Sequence, residues 1–314
     1  MLTDDLPQIS HIYQNHHLDS TRWERFVPRD DDIVISTSYK SGTTWTQMIV
    51  AGLVFGAEEA PYQVMELSPW VDSRYRDIDS VIERLDSQNH RRFIKTHLPL
   101  DGLPYYSQVK YIVTGRDARD VCMSLWNHYS NYTEAFHNRV NTVPGRVGPP
   151  LPLCPGDVRT FWRNWISRGW FDWESDGYPF WTNLGHTQSW WDYRQLPNIL
   201  FVHFADLLND LSGEIRRIAD YLNIEISDES LAFVTNAVRF PAVKANAQKV
   251  IPNAQDAFVG GADTFFNKGT NGRWKSALTL DDIGMYHEAT ARILSADCAQ
   301  WLETGRRIDG LTEA

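Results

Sequence analysis

A lysine, a glycine and three hydroxyl residues stand together at Lys40-Ser41-Gly42-Thr43-Thr44, just after the apolar run Ile33-Val34-Ile35. A short buried strand that runs into such a turn and then a helix aims backbone N–H groups, an ammonium and hydroxyls at one point. That is an anion cradle, suited to phosphate or sulfate. The helix expected over 44–56 carries Met48, Ile49, Val50, Leu53, Val54 and Phe55, apolar enough to anchor the turn in a core. The spelling departs from an ATP-type phosphate loop, which needs Gly-x-x-x-x-Gly-Lys-Ser/Thr. Here Thr37 stands near the first-glycine place, and Gly42 comes two residues after Lys40.

Three further segments carry candidate chemistry. In Arg92-Phe93-Ile94-Lys95-Thr96-His97-Leu98-Pro99, strand alternation puts Phe93, Lys95 and His97 on one face, and Pro99 helps end the strand. Lys95 and His97 then lie near a carboxyl end, where open parallel sheets bind ligands. The stretch from Lys110 to Ser124 again reads strand, turn, helix, with Asp117 as an N-cap. Arg116 sits at that strand's exit and Ser124 about two turns along the helix, so a guanidinium fork and a hydroxyl form a candidate second phosphate site. The third segment, Phe265 to Lys275, packs two glycines, two asparagines and three cations into a basic loop. Alone it reads as a solvated surface loop.

The elements that must position these groups alternate. Strands are expected over 32–37, 92–96, 110–114 and 198–203, and helices over 44–56, 78–88, 117–132, 157–169, 184–195 and 206–222. In the last, Leu208, Leu211, Ile215, Ile218 and Leu222 recur at helical spacing. The alternation implies a single α/β domain: a central parallel sheet flanked by helices on both faces.

Taken in order, the four segments resemble the cytosolic-type sulfotransferases that use 3′-phosphoadenosine 5′-phosphosulfate (PAPS). Their pattern is Tyr-Pro-Lys-Ser-Gly-Thr-Thr-Trp, then Lys-Thr-His-Leu-Pro, then Arg with Ser eight residues on, then Arg-Lys-Gly-x-x-Gly-x-Trp-Lys. This chain keeps the order at Tyr39 to Trp45, Lys95 to Pro99, Arg116 with Ser124, and Lys268 to Lys275. The resemblance implies a fold like that of the P-loop nucleoside-triphosphate hydrolases over residues 1–314, with 262–275 covering the nucleotide. It implies that Lys40, Ser41, Gly42, Thr43 and Thr44 hold the 5′-phosphosulfate, with Trp45 on adenine and Phe240 as a second aromatic near it. Arg116, Ser124, Lys268 and Gly269 are implied for the 3′-phosphate, His97 as general base, and Lys95 and Lys40 as catalytic cations, with no metal.

Several positions depart from the pattern. Ser38 precedes Tyr39 where Tyr-Pro is usual, Asn267 replaces the arginine before Lys268, and Arg273 stands where aspartate is common. Phe204 takes what looks like the place of a tyrosine near the base. Lys275 to Leu280 begins like the family's dimerisation strip, but Gly284 stands at its acidic close, so monomer and homodimer both stay open.

Composition narrows the partners. With 314 residues and a net charge of −10, the chain has length for one substantial core and lacks the basic balance of a general nucleic-acid binder. Three scattered cysteines (Cys122, Cys154, Cys298) suit reduced thiols in a cytoplasm. The start Met1-Leu2-Thr3-Asp4-Asp5-Leu6 reads as leaderless, and no run of about 18 apolar residues suggests a membrane span.

A Pro/Gly-rich stretch over 141–156 is a candidate lid over the acceptor site. The aromatic residues from Phe161 to Trp191 read mainly as packing; some, with Trp126, His128 and Phe136, are expected to wall an apolar pocket for a small hydroxylated or amine acceptor. The expected reaction is sulfuryl transfer to that acceptor. Two alternatives are a P-loop-type nucleotide kinase or ATPase, and a relative that binds nucleotide without catalysis.

Overall fold

The computed structural model describes residues 6–56 and 62–306, so the reading made of the first five residues lies outside those described. Among the described residues, β1 (Ile33–Thr37), β2 (Phe93–Thr96), β3 (Lys110–Gly115) and β4 (Ile199–His203) form one parallel sheet in the order β2-β1-β3-β4. Ile35 pairs with Lys95 on one side and Ile112 on the other. All five residues of β1 are buried, as a central parallel strand covered on both faces requires. Alternate side chains feed two cores: Ile33, Ile35 and Ile112 join one cluster, Val34, Tyr111 and Val113 the other. Arg92 and Asp32, entering β2 and β1, form a buried two-point ion pair with N···O distances of 2.8 and 2.5 Å.

After β1 the chain crosses to β2 on one side, then returns past β1 to place β3 on the other. The direction of winding therefore reverses at β1, and a crevice opens beyond the carboxyl ends of β1 and β3. Three of the four motif segments leave the sheet at that end: Lys40 after β1, His97 after β2 and Arg116 after β3.

The helices follow the expected order, all but the first with shorter spans. Ile78–Asp86, Ala118–Ser130 and Val158–Ser167 begin behind Asp77, Asp117 and Asp157, whose carboxylates accept N–H bonds from Ser80, Arg119 and Thr160. The single helix expected over 206–222 is two, Phe204–Asn209 and Leu211–Tyr221. Asp210 breaks it, leaving helical geometry to accept the Gly213 N–H. The 262–275 loop is also partly regular: Gly261–Phe265 is helical and Arg273–Ser276 a 3-10 turn. Helices Glu134–Asn141 and Leu280–Ile293 were not foreseen; Thr279 and Asp282 cap the latter reciprocally. Among the described residues, no helix is long and apolar enough to cross a membrane.

Candidate active site

The turn after β1 is tied from inside. Thr37 Oγ1 lies 2.5 Å from Thr43 Oγ1, and Ser38 Oγ 2.6 Å from Ser41 Oγ. Lys40 takes a left-handed backbone (φ 64°) and Gly42 φ 121°, which lets the chain reverse tightly before α1 (Thr43–Phe55). The first backbone bond of that helix runs from Thr46 N to Gly42 O, so the earlier N–H groups of the turn have no partner within the helix. The turn lines a cavity of about 530 Å³ through Lys40, Gly42, Thr43, Thr44 and Trp45. Ser41 is the exception: its buried hydroxyl turns inward to Ser38 and does not line the cavity.

Lys95 and His97 reach the same cavity from β2. His97 Nδ1 lies 2.7 Å from the Thr37 carbonyl oxygen, which can only accept, so Nδ1 carries the proton and Nε2 keeps a lone pair. Burial, with Lys95 nearby, holds the imidazole well below its usual pKa of 6.5, so it is neutral. Desolvation also depresses both lysines: Lys40 to about 7, helped by Arg116 and Lys95, and Lys95 to about 8, against the opposing pull of Asp72. Lys95 Nζ sits 4.1 Å over the Trp70 ring, and Lys40 Nζ lies 4.3 Å over Phe265 and 3.4 Å from His128 Nδ1.

Arg116 joins the two phosphate-type segments. Its guanidinium donates to Thr270 O (2.9 Å), Asn271 Oδ1 (3.1 Å) and Lys40 O (3.4 Å). Burial lowers its pKa to about 10. Ser124, Phe240, Lys268, Gly269 and Arg273 line the same cavity. Gly269 (φ 62°) must be glycine, because a Cβ there would lie 2.4 Å from the Phe240 ring. The basic loop is fixed by Asp120, whose carboxylate accepts from Gly272 N (2.7 Å) and Arg273 N (3.0 Å). Sequence reasoning missed Asp120, which lies in the first turn of the helix that follows Arg116.

Beyond His97 the cavity has an aromatic wall. His128 and Phe136 line it as expected, with Trp70, Tyr75, Tyr132 and Phe258 added. Tyr39 was read only as part of the motif, yet its ring centroid is 4.6 Å from that of His97. Trp126 does not line the cavity. Ser124 and His128, four apart, share the helix face that looks in, and Trp126 between them points away, its indole donating to Pro155 O at 3.3 Å. Phe204 is also placed differently from its expected position near the base: it packs under Arg116 at 4.1 Å and edge-on to Trp45. The 141–156 stretch contributes no lining residue. It is tied through Arg74 to Pro144 O (3.2 Å) and through Asn141 Oδ1 to Leu151 N (2.7 Å).

Comparison with known proteins gives this geometry a context. Residues 30–300 match the family model described as sulfotransferase domain. The glycolipid sulfotransferase of Mycobacterium bovis BCG is 32% identical over 310 residues, covering 94% of this chain and 95% of that one. Rat sulfotransferase 1A1 is 27% identical over 289 residues, covering 88% of each chain. Among solved structures, mouse sulfotransferase SULT7A1 complexed with PAP superposes with a TM-score of 0.67 at 21% identity, covering 90% of both chains. Retinol dehydratase in complex with androsterone and inactive cofactor PAP gives 0.65 at 21% identity, covering 89% of this chain and 87% of its own.

Proposed function

We propose, from the premise that this chain belongs to the sulfotransferase family, that it moves the sulfuryl group of PAPS to a hydroxyl of an amphiphilic acceptor, with His97 as general base. The observation that carries the reading is the convergence of Lys40, His97 and Arg116, from the ends of three adjacent strands, on one cavity. Two solved structures of similar fold are complexes with PAP, in keeping with it. The kinase alternative gives way to the family match, and the neutral, cavity-facing imidazole speaks for a catalyst over an inactive relative.

In this reading the 5′ end of the nucleotide lies on the unpaired N–H groups of the Gly42–Thr44 turn, and its remote phosphate near Arg116 and Ser124. Trp45 and Phe240 flank the base between them. The acceptor hydroxyl gives its proton to His97 Nε2 as its oxygen bonds to sulfur. The bond from sulfur to the phosphate oxygen breaks, and charge builds on that oxygen. Lys40 is the cation set to meet it, a contact that strengthens as the bond breaks and therefore lowers the barrier. Lys95 steadies the sulfuryl oxygens. These built-in cations supply the charge stabilisation that a metal would otherwise give.

The acceptor end combines flat rings (Trp70, Tyr75, Tyr132) with a charged rim in which Glu66 pairs with Arg76 at 3.3 Å and also with Arg84. Rings that stack and a rim that hydrogen-bonds suit a hydroxylated headgroup carrying an apolar part. The glycolipid sulfotransferase relative points the same way. Cys122, Cys154 and Cys298 are unpaired, in keeping with a cytoplasmic enzyme.

Thermal unfolding with nucleotide tests the reading. Adenosine 3′,5′-bisphosphate at 100 times its Kd adds about 2.7 kcal/mol to stability, and ATP with Mg²⁺ at the same concentration adds far less. Equal stabilisation by ATP would return the kinase alternative.

A further inference from the structure

We infer that Arg273 is a second guanidinium of the remote-phosphate site, so that Arg116 and Arg273 together select nucleotides bearing a phosphate away from the reacting end. This rests on the reading proposed above and adds a residue to it. Arg273 lines the cavity beside Lys268, Gly269 and Thr270. Among the described residues its guanidinium has no hydrogen bond, ion pair or ring partner, whereas its backbone is firmly held. Its N–H is bound by Asp120, and the next side chain, Trp274, is covered by the Arg119 guanidinium at 4.2 Å. The loop thus has a fixed stem from which, among the described residues, Arg273 and Lys268 both present cations without a protein partner to the cavity.

That cation is close enough to Arg116 for its charge to depress the Arg116 pKa. The carboxylate near both, Asp120, is engaged by backbone N–H groups of the loop. Two guanidiniums facing one pocket repel in the empty protein, and a dianionic phosphate monoester relieves that repulsion while using both forks. Asn267, where the related pattern has arginine, offers no such charge. Arg273 restores the charge from six residues further along the chain.

The test is isothermal titration of the full chain with adenosine 3′,5′-bisphosphate and with adenosine 5′-phosphate, in wild type, Arg273→Ala and Arg273→Lys. Arg273→Ala is expected to weaken the bisphosphate by about tenfold or more, the range of a charge-assisted contact. It should leave the monophosphate within about twofold, and Arg273→Lys should lie between. Undiminished bisphosphate affinity overturns the inference, as does equal loss for both ligands, which would mean the residue only shapes the loop. A wild type that binds both ligands equally would instead refute the remote-phosphate reading itself.

Discussion

Nucleotide binding should draw protons onto the protein, and the structure sets how many. Lys40 and Lys95 face the cavity with pKa values depressed to about 7 and about 8, because their ammonium forms are desolvated and Lys40 also meets other cations. At pH 8 about nine-tenths of Lys40 and about half of Lys95 are therefore neutral in the free protein. A polyanion binds the charged forms and raises both pKa values. Binding at pH 8 should then take up roughly one to two protons, and affinity should fall by about tenfold or more between pH 8 and pH 9. The sign follows from the ligand preferring the protonated state, so binding weakens as pH rises through the free-protein pKa values. Above pH 7 the ligand phosphates are already ionised and add little.

Titration calorimetry with adenosine 3′,5′-bisphosphate in buffers of different ionisation enthalpy measures the uptake directly. Lys40→Arg provides the control: a guanidinium stays charged throughout, so uptake should fall by about 0.9 proton. Zero uptake in wild type at pH 8, or uptake unchanged in Lys40→Arg, would refute the claim that the two lysines meet the nucleotide.

Two further outcomes follow from packing. Gly269→Ala puts a methyl group 2.4 Å from the Phe240 ring on a backbone with φ 62°; the strain should cost about 1–3 kcal/mol, read as a lower melting temperature and as weaker bisphosphate binding by calorimetry. Asp32→Asn leaves the buried Arg92 guanidinium with only the exposed Asp86 carboxylate at 3.5 Å; unfolding in denaturant should show a loss of about 3 kcal/mol, and a loss below about 1 kcal/mol would contradict the role given to that pair.

Much of the sheet was legible because each strand is a short apolar run closed by a polar turn, and each turn carries the chemistry. Lys40, His97 and Arg116 were placed near strand ends from sequence, and the structure brings all three to one cavity. The strand order was not readable, since no local pattern records which strands pair. Trp126 was misassigned by counting aromatics along a helix without its phase: only Ser124 and His128, one turn apart, share the inward face. The 206–222 helix was overextended because apolar spacing runs straight through Asp210, whose capping bond depends on backbone geometry. Asp120 escaped notice because its partners are backbone N–H groups some 150 residues away in sequence. The capping box at Thr279 and Asp282 was visible in the sequence and marks the start of the missed helix.

The most direct test of the central claim is transfer of radiolabelled sulfate from PAPS to a panel of glycolipids, steroids and phenols by wild type and His97→Ala, with nucleotide affinity measured on both. The account predicts transfer to at least one hydroxylated acceptor, and a loss of about 10²–10⁴-fold in turnover in the variant, as for removal of a general base, with bisphosphate affinity within about twofold. Turnover at the wild-type rate in His97→Ala would contradict it.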